Sequence, residues 1–137
     1  MAFLDETGLA ELWALTRAAD VKIATGSYVG TGIYDNGNAK RNWNDLTFDG
    51  RPKIVFVAST GTVNIGSDIA IFVIPDEANA TDGFVSVKYV NETHEGVYAH
   101  MDGNTLLWRS TNSAEEQMNE SETIYEYNAI FVGGSVL

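Results

Sequence analysis

The feature that most constrains this chain is the run Ile54-Val55-Phe56-Val57. Side chains alternate between the two faces of a β-strand. These four residues put apolar groups on both faces, which predicts an internal strand covered on both sides. Gly50-Arg51-Pro52 precedes the run. Pro52 has no backbone N–H and so suits the entry to a strand rather than its middle. Just upstream, Leu46 and Phe48 alternate with Thr47 and Asp49, so 43–49 reads as a strand with one wet face.

Strand signals continue on either side. In 22–34, Gly26, Tyr28, Gly30, Gly32 and Tyr34 share one face, and the three glycines leave room for a close neighbour or a bulge. Asp35 to Asn42 is a polar loop with an Asn36-Gly37 turn signal and the basic pair Lys40-Arg41. A second all-apolar run, Ile69 to Ile74, stops at Pro75, and Phe84 to Val90 alternates. Val97 to Arg109 holds two strands around Asp102-Gly103, a favoured two-residue hairpin turn. Val97, Ala99 and Met101 should face Leu106 and Trp108. Residues 111–122 form a polar connection with room for a helical turn. Thr123 to Val132 closes the pattern as an internal strand.

Residues 7–19 have a different period. Thr7 can cap a helix, and Leu9, Leu12, Trp13 and Thr16 fall at i, i+3, i+4 and i+7 as one stripe. A helix of about three turns is marginal alone in water, so the stripe must be buried. It either lies on its own β domain or serves as an oligomerising or anchoring element. The fold class that follows is mainly β: an antiparallel β-sandwich of about eight strands preceded by a short N-terminal α-helix. Residues 1–20 form the helical unit and 21–137 the β domain.

Composition removes several functions. There is no cysteine, so disulfides and thiolate metal sites are excluded. The net charge of -11 argues against nucleic acid. From Asp76 to Glu126 there are 11 acidic residues against two basic ones, either a solvated face or a steering surface for a cationic partner. No run approaches the roughly 20 apolar residues of a membrane span. Asp5 and Glu6 stand where a secretory leader would carry basic residues.

Chemical motifs are sparse. His94 and His100 would sit roughly 20 Å apart along an extended strand, too far to share a metal. No phosphate loop, zinc-protease motif or nucleophile elbow occurs. No catalytic, cofactor or metal site is expected. The sequons at Asn79, Asn91 and Asn119 read as chance in a chain rich in Asn and Thr. Trp43, which closes the polar loop, either stacks on a sugar ring or plugs the edge of the core. With Tyr34 and Asn42 it forms the candidate glycan contact.

Three stretches in order carry a family resemblance. They are Phe3-Leu4-Asp5-Glu6-Thr7-Gly8-Leu9-Ala10-Glu11-Leu12-Trp13; Ala24-Thr25-Gly26-Ser27-Tyr28-Val29-Gly30-Thr31-Gly32 with Leu46-Thr47-Phe48-Asp49-Gly50-Arg51-Pro52-Lys53-Ile54-Val55; and Gly103-Asn104-Thr105-Leu106-Leu107-Trp108-Arg109-Ser110-Thr111-Asn112 with Gln117-Met118-Asn119 and Tyr125-Glu126-Tyr127-Asn128-Ala129-Ile130. Together they resemble small tail-fibre-like structural proteins of phages and prophages of gut bacteria. The resemblance implies a virion protein made in the bacterial cytoplasm, with no enzymatic activity. It implies a homo-oligomer, most often a trimer in fibres, that meets other virion proteins and binds a host cell-surface glycan. A capsid decoration, head-fibre or tail-assembly subunit is the alternative. The closing Asn128-Ala129-Ile130-Phe131-Val132-Gly133-Gly134 departs from the aromatic-Ile-Ala-Ile-Gly ending of that family.

Overall fold

The computed structural model describes residues 20–36, 42–60, 69–76, 84–90 and 97–133. The expected helix and its stripe of Leu9, Leu12, Trp13 and Thr16 lie outside the described residues, as do Lys40, Arg41, His94, Asn79 and Asn91.

Eight strands form: β1 (Val21–Val29), β2 (Asn44–Thr47), β3 (Ile54–Ser59), β4 (Ile69–Val73), β5 (Phe84–Val90), β6 (Val97–Asp102), β7 (Thr105–Ser110) and β8 (Ile124–Val132). All pair antiparallel, in the order β1-β8-β3-β4-β5-β6-β7-β2. The expected sandwich is therefore replaced by a single sheet. That sheet curls into a half-barrel, and its concave face holds the core. Strand count and alternation are the same for two packed sheets as for one curled sheet, so the sequence pattern did not separate them.

The curl brings the two edge strands toward each other without a hydrogen-bonded ladder between them. Tyr28 of β1 meets Trp108 of β7 with ring centroids 6.3 Å apart. Phe48, just past β2, stands edge-on to Tyr127 and Phe131 of β8. Val55, Val57, Phe72, Leu106, Trp108 and Ala129 are fully buried between them. Trp108 and Phe72 lie 5.0 Å apart at the centre. Truncating either large ring would cost about 3–5 kcal/mol.

Two expectations hold in detail. β8 is internal, paired to β1 and β3. The inward residues of the β6–β7 hairpin are the predicted ones, with Ala99 opposite Trp108 and Met101 opposite Leu106. The turn itself sits one residue later. Asp102 pairs with Thr105, so the two loop residues are Gly103 and Asn104. Gly103 has φ of 58°, as a turn with glycine at its first central position requires.

One expectation is corrected. Among the described residues, β3 is covered on its concave face only. Val55 and Val57 are buried there, whereas Ile54 and Phe56 point to the convex face and are half-buried.

Gly26 of β1 and Gly30 just past its end mark close approaches. A Cβ at Gly26 would strike the ring of Tyr127, its cross-strand partner. A Cβ at Gly30 would strike the main-chain carbonyl of Glu120. Gly30 also donates to the carbonyl of Thr123 and accepts from the N–H of Glu122. The segment after β1 is thus held flush against the connection that leads into β8.

Candidate functional site

The polar connection 111–123 has more than a linking role. It folds as a tight turn in which the N–H groups of Gln117, Met118 and Asn119 reach back to the carbonyls of Ser113, Glu115 and Ala114. The turn drops Gln117-Met118-Asn119 into the end of the half-barrel. Gln117 is fully buried. Its Oε1 accepts from the N–H of Asp35 at 3.0 Å and of Ser110 at 2.9 Å. Its Nε2 donates to the Asn42 carbonyl and to Asn44 Oδ1. A buried amide that uses both donors and both acceptor positions is fully satisfied. It ties the segment after β1, the start of β2 and the end of β7 together.

Met118 and Asn119 continue the plug. Met118 has φ of 56°, an uncommon value for a residue with a side chain. Its side chain is fully buried, and its carbonyl accepts from Tyr28 Oη at 2.7 Å and from Asn44 Nδ2 at 3.3 Å. Such contacts hold a backbone in a sparsely populated region. Asn119 takes the Thr31 N–H on Oδ1 and donates from Nδ2 to Thr31 Oγ1 and the Ile33 carbonyl. Its amide is committed inside the fold.

Trp43 lies where this plug meets the convex face. Its indole N–H donates to Asp35 Oδ2 at 3.1 Å. The same carboxylate oxygen takes Arg109 Nη1 at 2.9 Å. The Arg109 guanidinium lies 5.1 Å from the Trp43 ring centroid and 4.9 Å from that of Tyr98, both within cation–π range. The His100 ring is 5.7 Å from that of Trp43. Register explains the cluster: Asn44 pairs with Trp108 and Arg109 with Tyr98, so Trp43, Arg109 and Tyr98 form a cross-strand row. Asp35 is buried beneath it, and Tyr98 is half exposed.

Beside this row opens a cleft of about 300 Å³, lined by residues that include Asn42, Trp43, Asn44, Asp45, Thr31 and Asn119. Two of the three glycan candidates, Asn42 and Trp43, share it. Tyr34 does not line it; its carbonyl accepts from Asn42 Nδ2 at 3.4 Å. A second cleft of about 560 Å³ lies at the other end of the gap between the edge strands, where β1 residues 22–25 face Thr47 to Gly50.

Asp35, Tyr98, Arg109 and Gln117 were not singled out from sequence. The Tyr98–Arg109 pair was within reach, because it follows from the hairpin register. Trp43 and Asp35 meet Arg109 only through long-range contacts, and Gln117 joins Asp35 across 82 residues of chain. No three metal-ligating side chains come together among the described residues, and no helix among them is long and apolar enough to cross a membrane. Comparison with protein-family models, with curated proteins and with solved structures finds no match for the chain.

Proposed function

We propose that this chain is a structural subunit of a phage or prophage particle, a fibre-like exposed appendage whose cleft at Trp43 contacts glycan on the host surface. The cleft is the observation that carries this reading. It places an aromatic ring beside amide, hydroxyl and carboxylate groups in an open cleft that Val29 and Ile33 also line. A sugar offers the complementary pattern, with C–H faces for an aromatic ring and hydroxyls for side-chain donors and acceptors. Asp45 is exposed at this opening. The family resemblance supplies the virion setting and a homotrimeric state. The subunit acts by binding and assembly, without catalysis and without a cofactor.

A second reading is favoured by a different observation. Asn44 and Asn119, both in the cleft, already spend their amides on Gln117, Met118, Thr31 and Ile33. A lining so occupied suits a closure of the fold rather than a ligand site. The chain would then be a capsid decoration, head-fibre or tail-assembly subunit.

Immunogold labelling tests both. Particles induced from the strain that carries the gene are labelled with antibody to residues 22–137. Gold at the tail end is the expected result. Gold over the capsid selects the structural alternative, and particles without label overturn the virion assignment.

A further inference from the structure

The curl leaves a gap between the edge strands β1 and β2, and the hydrogen-bond parity of both strands turns main-chain groups into it. In an antiparallel pair, residues that exchange both bonds alternate with residues whose N–H and C=O point the other way. Asp20 bonds Gly133 and Gly30 bonds Thr123, and the register between them runs unbroken. The even-numbered residues of β1 therefore face β8, and the N–H and C=O of Ile23 and Thr25 point away from it. β2 obeys the same rule. Phe48 donates to the Asn104 carbonyl in register with the β2–β7 pairs, so Asp45 and Thr47 turn their main-chain groups outward. Among the described residues no strand pairs with either edge.

Between these edges lies the cleft of about 560 Å³, which Ile23, Thr25 and Thr47 line. Ligand pockets commonly measure about 300–1,000 Å³. The cleft also has aromatic walls. Phe48 stands edge-on to Tyr127 and Phe131, with ring centroids 6.1 and 6.0 Å away. Each strand contributes four residues, 22–25 and 47–50, about 13 Å of extended chain. Main-chain donors and acceptors at strand spacing on two sides, beside apolar rings, match an extended peptide with one large apolar side chain.

Charge narrows the partner. Asp45 and Asp49 flank Thr47 with exposed side chains, against Lys22 on the β1 side, and the chain carries a net charge of -11. A field of that sign gathers basic partners.

We infer that the gap between β1 and β2 accepts an extended peptide segment of another protein as an added strand, with an apolar anchor residue flanked by basic ones. In the alternating order of eight antiparallel strands, β1 and β2 run in opposite directions. One inserted strand is then antiparallel to one edge and parallel to the other. It runs antiparallel to β1, the longer edge, because antiparallel pairing is slightly the more stable. Its anchor enters against Phe48, Tyr127 and Phe131. The site shares no lining residue with the Trp43 cleft and is independent of the virion reading.

Short blocked peptides of alternating pattern, with lysine near both ends and Phe, Leu or Ala at the centre, are titrated into the full-length chain and followed by amide NMR. Saturable shifts are expected at Ile23, Thr25 and Thr47, with exchange of the Ile23 and Thr25 amides slowed at least tenfold. The Phe or Leu peptide should bind at least tenfold more tightly than the Ala peptide. Glutamate in place of lysine should weaken binding by a similar factor at low salt. N-methylation of alternate peptide nitrogens should abolish it. Thr25→Pro removes an outward N–H and spares the bonds to β8, so it should weaken binding at least tenfold. If that variant does not fold, the N-methylated peptides still decide. Binding by no peptide up to about 1 mM, binding indifferent to N-methylation, or shifts confined to the Trp43 cleft overturn the inference. So do Ile23 and Thr25 amides that exchange slowly before peptide is added, because the edge is then paired without it.

Discussion

Trp108 and Gln117 are joined by a hydrogen bond of 2.8 Å, in which the indole N–H of the largest fully buried side chain donates to the Gln117 carbonyl. The core and the polar plug are therefore one unit. The same glutamine satisfies the N–H groups of Asp35 and Ser110. Gln117→Ala strands both inside the fold. At about 1–3 kcal/mol for each unsatisfied buried group, the variant should lose roughly 3 kcal/mol or more. Urea unfolding measures this, and a loss under about 1 kcal/mol would show that the plug contributes little.

Arg109 and Asp35 form a partly buried pair whose Asp35 side is almost wholly buried. Arg109→Met keeps the apolar stem but removes the cation from the Asp35 carboxylate, which retains the Trp43 N–H. Breaking a buried pair costs about 3–5 kcal/mol. The 29% exposure of the Arg109 side chain lowers the expectation to about 1–3 kcal/mol. Adding Asp35→Asn should recover part of the loss, because the buried charge is removed along with its counter-ion. A double variant as unstable as the simple sum would contradict the pairing.

The two close-packed glycines should differ. Gly30→Ala sets a methyl against the Glu120 carbonyl, and neither backbone can yield. A cost of about 1–3 kcal/mol is expected. Gly26→Ala meets the far end of the Tyr127 ring, which can swing, so its loss should be smaller. Thermal unfolding of the two variants side by side gives the order.

Gly103→Ala isolates backbone strain. Nothing lies within 4 Å of a Cβ at this position, but φ is +58°. A loss of about 1 kcal/mol is expected, with no change in core packing. Chemical denaturation checks the first part, and the near-ultraviolet circular dichroism of the packed aromatic residues checks the second.

For glycan contact, Trp43 is an ambiguous probe, because its ring and N–H also hold Arg109 and Asp35. Asp45 is the cleaner one. Asp45→Ala changes an exposed side chain and should move stability by no more than about 0.5 kcal/mol. Labelled protein should nevertheless lose binding to host cells. Unchanged binding would favour the purely structural role.

Local patterns made the strands legible. The alternation in Val97–Arg109 predicted which residues of the hairpin face inward, and Gly26 and Gly30 predicted close neighbours that Tyr127 and Glu120 supply. The all-apolar β3 run predicted a strand covered on both sides, whereas among the described residues Val55 and Val57 are buried and Ile54 and Phe56 are only half-buried. Curl was not legible, because one sheet and two use the same period. The plug was not legible either. A polar run such as 111–122 looks the same whether it is solvated or consumed by hydrogen bonds to β1, β2 and β7. Of the candidate contact, Trp43 and Asn42 were named from sequence, and the Asp35–Arg109 pair that positions Trp43 was not.

The strand order also dictates how the chain can be assembled in time. Among the described residues β1 pairs with β8 alone, so the first of these strands to be made must wait for the last. Ribosomes extend chains at about 5–20 residues per second, and the residues between the two take on the order of 5–20 s to appear. Through that interval Ile23 and the free edge of β1 have no sheet to join. Topologies closed by such distant partners fold slowly. The burden of avoiding aggregation therefore falls on the nascent chain.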